Sequence, residues 1–142
     1  MKKVMIALVS ALCIFVLAGC AEQAVSNVEI DYGDSSVFSL QDRKDAVAVI
    51  RQEFGTWEGC ELHSVTYAGD EANSAENVAW MNELQEGMEG QETFTQCIQF
   101  RSDFHSPKKS DGAWAEDEEY TDWQWWLARS EGGKWHLMTW GY

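Results

Sequence analysis

The chain has few basic residues, and this shortage argues against several classes of partner. It contains 10 Lys and Arg residues against 24 Asp and Glu residues, which gives a formal net charge of −14 at pH 7. Nucleic-acid binding depends on clustered Lys and Arg side chains that neutralise phosphates, so the composition argues against a nucleic-acid partner. The same negative charge opposes direct adsorption of a folded domain to anionic lipid.

Long apolar runs are also missing. The main run, residues 4–16, is too short to span a bilayer and follows the basic start Met1-Lys2-Lys3, so it predicts a secretory signal. The run ends in Leu17-Ala18-Gly19-Cys20, which resembles the lipobox of bacterial lipoproteins. The resemblance implies cleavage before Cys20, attachment of acyl chains such as palmitate to Cys20, and anchoring on the outer side of the cell membrane. An ordinary signal peptide with a chance cysteine is the alternative.

These features divide the chain into three parts. Residues 1–19 are predicted to be a lipoprotein signal peptide, residues 20–38 the lipidated N-terminus and a flexible spacer, and residues 39–142 a single folded domain. The spacer prediction rests on the absence of any sustained hydrophobic period and on a content of Ser, Asn, Asp and Gly. The sequence therefore predicts a membrane-tethered, extracytoplasmic domain.

Cysteine is scarce in the predicted domain. Cys13 belongs to the signal and Cys20 to the lipidation site, so only Cys60 and Cys97 remain. Two cysteines and scattered histidines do not supply the four ligands of a structural zinc site. In an oxidising compartment an even pair favours a disulfide between Cys60 and Cys97. Because the two alternate with different kinds of residue along their predicted strands, two free thiols remain the alternative.

The hydrophobic periods of residues 39–142 predict an α+β fold with the order α-β-α-β-β-β. A first helix begins after Ser39 and ends at Gly55, and a second begins at Ser74. Strands are predicted over 60–67 and 93–104, and a hairpin over 122–142. The helices precede an antiparallel sheet, so one face of the sheet is expected to pack on them.

The C-terminal hairpin is rich in tryptophan and turns at Gly132-Gly133. An even number of loop residues places one set of side chains on a single face. This face is the predicted core: Trp123, Trp125, Leu127, His136, Met138 and Trp140. The opposite face, which carries Trp126 and Trp135, is predicted to be half covered.

Three groups of residues mark the predicted strand ends and core aromatics. They are Glu58-Gly59-Cys60-Glu61-Leu62, Tyr67-Ala68-Gly69-Asp70-Glu71, and Trp123-Gln124-Trp125-Trp126-Leu127-Ala128-Arg129 with Gly132-Gly133-Lys134-Trp135 and Gly141-Tyr142. On these residues the chain resembles a group of small, uncharacterised bacterial lipoproteins with NTF2-like (cystatin-like) domains. The resemblance implies a curved antiparallel sheet wrapped around helices as a cone, and it brings no assigned activity.

Exposed aromatic side chains are the first candidates for a binding site. Trp114 lies in the long predicted loop 105–119, and Trp126 and Trp135 lie on the second face of the hairpin. Exported proteins use such side chains to stack on sugars or to grip peptides, so we expect a non-enzymatic binding module for a protein, peptide or glycan. Ordinary packing is the alternative for each of the three.

A small enzyme is the rival function. His136 would act as acid or base inside the cone, with Asp122 near its mouth and His63 on a neighbouring strand. No catalytic motif accompanies these residues. The acidic run 116–119 lacks the alternating aspartates and glycine of a calcium loop, so neither a metal nor another cofactor is predicted.

Overall fold

The computed structural model describes residues 27–87, 90 and 92–142. Its elements follow the order β1 (Glu29–Asp31), α1 (Leu40–Phe54), β2 (Glu61–Tyr67), α2 (Ala75–Leu84), β3 (Gln96–His105), β4 (Glu119–Arg129) and β5 (His136–Gly141). A 3-10 turn, Asp70–Ala72, connects β2 to α2. The predicted signal peptide, residues 1–19, and the predicted lipidation site, Cys20, lie outside the described residues.

The five strands form one mixed sheet in the order β1-β2-β3-β4-β5. Strands β2 to β5 pair antiparallel with their neighbours, whereas β1 pairs parallel to β2. The α+β prediction is confirmed. The predicted order omits β1, and the predicted sheet is antiparallel throughout, so both differ from the structure at this edge.

Strand β1 lies inside residues 20–38, which the sequence predicts to be a spacer. Its three residues are too few for an alternating pattern, and tertiary contacts hold the segment in place. Arg43 Nη1 of α1 donates hydrogen bonds to the backbone oxygens of Tyr32 at 2.9 Å and Gly33 at 2.5 Å. Regular structure therefore begins at Glu29, ten residues ahead of the predicted boundary at Ser39.

Asp70 fixes the chain that leads from β1 into α1. Its carboxylate accepts hydrogen bonds from the hydroxyls of Ser35 at 2.5 Å, Ser36 at 2.9 Å and Tyr67 at 2.6 Å. The bonds from Ser35 and Tyr67 hold the pKa of Asp70 well below its usual range. Burial, reinforced by the bond to Asp70, raises the pKa of Tyr67 to about 12.

Helix α1 begins where the sequence predicts. Ser39 is its N-cap, and a capping box links the Ser39 hydroxyl to the Asp42 backbone N–H and the Asp42 carboxylate to the Ser39 N–H. Its buried residues follow the helical spacing expected for a core-facing stripe: Arg43, Ala46, Val47, Ile50 and Phe54. The stripe directs α1 onto one face of the sheet.

The two helices cover opposite faces of the sheet. On β3, Ile98 and Phe100 belong to the hydrophobic cluster that contains the buried residues of α1, whereas Cys97 packs with Met81 of α2. Successive residues of a strand point to opposite faces, so this alternation assigns α1 to one face and α2 to the other. The α1 side holds the larger core, and its open end carries the candidate site.

Candidate functional site

Trp57, three residues after α1 ends, is the centre of an aromatic cluster at one end of the α1-side core. Its ring stacks on that of Trp125, with centroids 5.0 Å apart and an interplanar angle of 23°. Trp125 is fully buried, and its indole N–H donates to the Ser102 hydroxyl at 2.9 Å. Trp57 therefore joins the fully buried core to the surface.

Two further indoles extend this cluster outward. Trp114 lies 4.9 Å from Trp57 and Trp140 lies 6.1 Å from it, measured between ring centroids. Trp114 and Trp57 are half-buried, whereas Trp140 is 41% exposed. The three rings thus form a contiguous aromatic wall that we call the tryptophan wall (Trp140, Trp57 and Trp114).

The tryptophan wall borders an open cleft of about 750 Å³, which we call the tryptophan cleft. This volume lies within the range of small-molecule binding sites. Besides the three tryptophans, polar and small residues line it: Thr56, Glu58, Gly59, Pro107, Lys109, Ser110, Asp111 and Ala113. The arrangement offers flat aromatic faces beside charged and hydroxyl groups.

The loop 106–118 supplies one side of the cleft and is held by internal hydrogen bonds. The Ser106 N–H donates to the Glu118 carbonyl at 2.9 Å, and the Asp117 N–H donates to the Pro107 carbonyl at 2.9 Å. The Ser110 hydroxyl accepts a hydrogen bond from the backbone N–H of Trp114 at 3.1 Å. The first two bonds tie the acidic run 116–119 to the start of the loop.

Gly59 provides the close approach that seats this loop against the turn after α1. Its φ of +77° lies in the left-handed region, and a Cβ built on it would stand 2.8 Å from Cβ of Pro107. A side chain at this position would both strain the backbone and collide with the proline. The floor of the cleft therefore requires glycine here.

A chain of histidines and carboxylates closes the base of the same loop. His105 Nε2 lies 2.9 Å from Asp117 Oδ1, and His105 Nδ1 lies 2.9 Å from Glu119 Oε2. The second Glu119 oxygen lies 2.9 Å from His63 Nδ1. Both ring nitrogens of His105 face a carboxylate, and only the imidazolium form can donate from both.

The pKa values of this cluster follow from those contacts. Hydrogen bonds to Asp117 and then Glu119 raise the pKa of His105 above its ordinary value. The bond from His105 lowers the pKa of Asp117. Burial opposes a similar decrease at Glu119, but the bonds from His105 and His63 lower its pKa overall. These contacts therefore favour the charged forms of His105, Asp117 and Glu119.

His136 lies away from the core face on which the sequence places it. The pairing of β4 with β5 shifts between Trp126 and Leu127, so that Leu127 pairs with Leu137 and Ala128 with His136. This β-bulge reverses the alternation for the first half of β5. Trp140 keeps its predicted face, whereas Met138 and His136 turn toward the α2 side.

The predicted pairing of His136 with Asp122 is not formed. Asp122 precedes Ala128, the partner of His136, by six positions on β4, which is about 20 Å along a strand. His136 Nε2 instead lies 2.5 Å from Glu92 Oε1, and both side chains are well exposed, at 50% and 39%. Asp122 has a φ of +55° and donates its N–H to Asp103 at 3.0 Å, in a shallow polar depression. No enclosed acid–base pair results.

The three predicted binding tryptophans have three different environments. Trp114 lines the tryptophan cleft. Trp126 is half-buried against the α2-side cluster, edge-to-face with Trp80 at 5.2 Å. Trp135 is 6% exposed, and its indole N–H donates to the Asp42 carbonyl at 2.9 Å. Trp135 is therefore a core residue, and the prediction that it lies exposed is wrong.

Cys60 and Cys97 are free thiols in the structure, so the predicted disulfide is absent. Cys60 belongs to the α1-side cluster and Cys97 to the α2-side cluster, so the sheet separates them. Burial raises the pKa of both thiols, to about 12 for Cys97. Neither is a thiolate at neutral pH, which makes both poor nucleophiles.

Sequence reasoning missed Trp57 and Trp140 as site residues. Trp57 belongs to the short turn between α1 and β2, where no period indicates which way a side chain points. The strand alternation predicts that Trp140 lies in the core. However, β5 is an edge strand of the sheet, and the core ends there. The sequence feature that pointed to exposed tryptophans was their number, because eight tryptophans exceed what the core of one small domain encloses.

Comparison with protein-family models, with curated proteins and with solved structures found no match for this chain. Within the part of the chain that the structure describes, no helix combines the length and the apolar character needed to cross a membrane.

Proposed function

We propose that the protein is a lipid-anchored, extracytoplasmic binding module whose ligand occupies the tryptophan cleft. The observation that carries this proposal is the exposure of Trp140 beside Trp57 and Trp114 in a cleft of about 750 Å³. Exposed apolar surface costs stability in a monomer, and a concentration of it beside polar groups is typical of binding sites.

The proposed anchor is an acylated Cys20 that follows a cleaved signal peptide, residues 1–19. Its support is the sequence Leu17-Ala18-Gly19-Cys20 and the short apolar run before it. Two or three acyl chains on one cysteine give stable attachment without a membrane-spanning helix. Residues between Cys20 and β1 would then connect the anchor to the domain.

The proposed fold family is NTF2-like. After β1, the elements follow α-β-α-β-β-β, and the strands β2 to β5 are antiparallel neighbours, which supports the assignment. In this proposal the sheet and α1 correspond to the cone, and the tryptophan cleft lies at its wide end. The proposal adds no activity, because the family fold serves both binding proteins and enzymes.

An enzymatic role with His136 as acid or base receives less support. His136 and Glu92 form an exposed pair that lines none of the described clefts. A general acid or base needs a substrate held within hydrogen-bond reach and gains from burial that tunes its pKa. Binding at the tryptophan cleft is the better-supported function.

Two experiments test the two halves of the proposal. For the anchor, the chain is expressed in a bacterium with Cys20 intact or as Cys20→Ala, and the membrane fraction and acyl content are measured by mass spectrometry. We expect the intact chain to be acylated and membrane-bound and the variant to be neither. Equal distribution of the two chains would contradict the anchor.

For the cleft, the intrinsic tryptophan fluorescence of the chain is followed during titration with neutral oligosaccharides and with basic peptides. We expect at least one probe to change the emission, and we expect Trp140→Ala to weaken that binding. Trp80→Ala is the matched control, because Trp80 is similarly exposed, at 36%, but does not line the cleft. Equal loss in both variants, or no binding of any probe, would overturn the proposed site.

A further inference from the structure

We infer that the ligand of the tryptophan cleft is a neutral glycan; this inference rests on the proposed binding function. Glycan recognition needs two kinds of group in one place. It needs flat aromatic faces for the C–H face of a sugar ring, and it needs unsatisfied hydrogen-bonding groups for the hydroxyls around the ring's edge. Both are present here, and a third feature, the near-absence of aliphatic lining, disfavours the other ligand classes.

The tryptophan wall is a platform and not a cage. The Trp57 ring centroid lies 4.9 Å from that of Trp114 and 6.1 Å from that of Trp140, so both outer indoles pack on Trp57 instead of standing apart around a space that would enclose a cation. The rings are inclined by 42° and 50° to their neighbour. The result is an angled row of three indoles, which offers stacking partners to successive rings of an oligosaccharide.

The polar groups beside the wall have unused hydrogen-bonding capacity. Neither Glu58 nor Lys109 makes a side-chain hydrogen bond or ion pair with another described residue. The indole N–H groups of Trp114 and Trp140 likewise have no partner among residues 27–87, 90 and 92–142. All four residues line the tryptophan cleft. Their carboxylate, ammonium and indole N–H groups match the mixed donors and acceptors of sugar hydroxyls.

The lining argues against a peptide anchored by an apolar side chain. Among the described residues that form the cleft there is no Leu, Ile, Val, Met or Phe, and its apolar parts other than tryptophan are Pro107 and Ala113. Peptide grooves bury apolar anchors in pockets, which need such side chains. This cleft is wide and open, with tryptophan faces instead.

Charge restricts the glycan to one without acidic groups. Two carboxylates, Glu58 and Asp111, line the cleft against the single ammonium group of Lys109. The whole chain carries a formal charge of −14. Polyanionic glycans and nucleotides would be repelled both on approach and at the site.

The test is calorimetric titration of the full chain in zwitterionic lipid nanodiscs with neutral oligosaccharides. The probes are cellohexaose, xylohexaose, mannohexaose, maltohexaose and chitohexaose, and the comparison peptide is an alternating Lys-Trp hexapeptide. We expect at least one oligosaccharide to bind with little dependence on salt, since no net charge is neutralised. Trp140→Ala should weaken that binding at least about tenfold.

Glu58→Gln keeps the size of the side chain and removes its charge, so it tests the hydrogen bonds separately from stacking. We expect it to weaken oligosaccharide binding about three- to tenfold. Trp80→Ala should leave the affinity unchanged, because Trp80 lies outside the cleft. If Trp140→Ala impairs folding, the Glu58→Gln result alone decides whether the cleft binds the sugar.

The outcomes separate this inference from the function on which it rests. Oligosaccharide binding that depends on Trp140 or Glu58 supports both. Binding of the peptide alone, weakened by Trp140→Ala and by salt, overturns the glycan and keeps the cleft as a binding site. Binding of neither probe, or binding that neither cleft variant changes, overturns both.

Discussion

Trp135 and Trp140 lie at the two ends of β5 and have opposite environments. Trp135 is 6% exposed, donates its indole N–H to the Asp42 carbonyl at 2.9 Å, and lies under the Arg129 guanidinium at 4.2 Å. Trp140 is 41% exposed, and its indole N–H has no partner in the described part of the chain. The indole N–H of Trp135 thus has an acceptor that offsets the cost of its burial, whereas Trp140 lies where the core ends.

The surroundings of the two residues differ in the same way. At the closed end, near Trp135, Arg129 Nη1 forms an ion pair with Asp42 at 2.9 Å and joins β4 to the capped start of α1. At the open end, near Trp140, the turn after α1 and the loop 106–118 leave a cleft between them. We interpret the closed end as the stabilising region and the open end as the binding region.

Trp135→Ala should have the largest effect on stability. Removing a buried tryptophan leaves a cavity and loses the hydrogen bond to the Asp42 carbonyl, so the free energy of unfolding should fall by about 3 to 5 kcal/mol. Trp140→Ala should lower it by less than about 1 kcal/mol, because Trp140 is already 41% exposed. Urea denaturation of both variants measures the difference, and equal losses would show that Trp135 does not stabilise the fold more than Trp140.

Gly59→Ala should lower the free energy of unfolding by less than Trp135→Ala does, but it should disturb the open end of the core. The new Cβ would adopt an unfavourable φ and stand 2.8 Å from Pro107 Cβ, which should lower the free energy of unfolding by about 2 kcal/mol. The loop 106–118 must then move, so the affinity of the cleft for its ligand should fall as well. Gly132→Ala is the control, since its φ is also positive but a Cβ added there would meet no atom within 4 Å. If the two variants bind alike, Gly59 does not shape the cleft.

Asp42→Asn should affect the closed end alone and should lower the free energy of unfolding by about 1 kcal/mol at neutral pH. The hydrogen bond from Arg129 lowers the pKa of Asp42 in the folded protein. A lowered carboxyl pKa stabilises the fold above the unfolded value of 3.8 and loses that contribution as the pH falls through the folded value. Thermal melts between pH 2 and 7 should therefore converge for the variant and the parent at low pH. A difference that stays constant with pH would contradict this account.

How far the sequence predicted the structure differs between these two ends. The capped helix α1 and the strands β3 and β4 were predictable because capping residues and hydrophobic periods are local signals. The bulge opposite Trp126 and Leu127 was not, and it moved His136 off the core face. No local signal marks the extra residue in β5, so the alternation that predicted the first half of that strand was wrong.

The site depended even more on tertiary contacts. Trp57 and Trp114 are far apart in sequence and belong to segments without regular structure, and only the packed fold brings their rings to 4.9 Å. The prediction included Trp114 because it lies in a long loop, but it gave no reason to join it to Trp57. Likewise, Trp135 could not be assigned to the core without knowing that the Asp42 carbonyl faces it.

His105→Gln should give the smallest effect, confined to the loop of the open end. The raised pKa of His105 means that its contribution is fully present below pH 6.5 and is lost as the pH rises through the folded value. The lowered pKa values of Asp117 and Glu119 set the acid limit, since protonation of these carboxylates also breaks the contacts. Between these limits, hydrogen exchange at the Ser106 and Asp117 amides should be faster in the variant than in the parent.

The control for this prediction is His136→Gln, which alters an exposed histidine far from the loop. It should leave the exchange of the Ser106 and Asp117 amides unchanged at every pH. If both variants behave like the parent across the pH range, the contacts of His105 do not hold the loop.

Ligand binding at the tryptophan cleft is tested most directly by a two-dimensional NMR titration that follows the eight indole N–H signals. The titrant is a neutral oligosaccharide added to the full chain. We expect the indole signals of Trp57, Trp114 and Trp140 to shift together, while those of Trp80 and Trp135 stay in place. Shifts confined to Trp80 and Trp126, or no shift with any oligosaccharide or peptide, would contradict the assignment of the tryptophan cleft as the binding site.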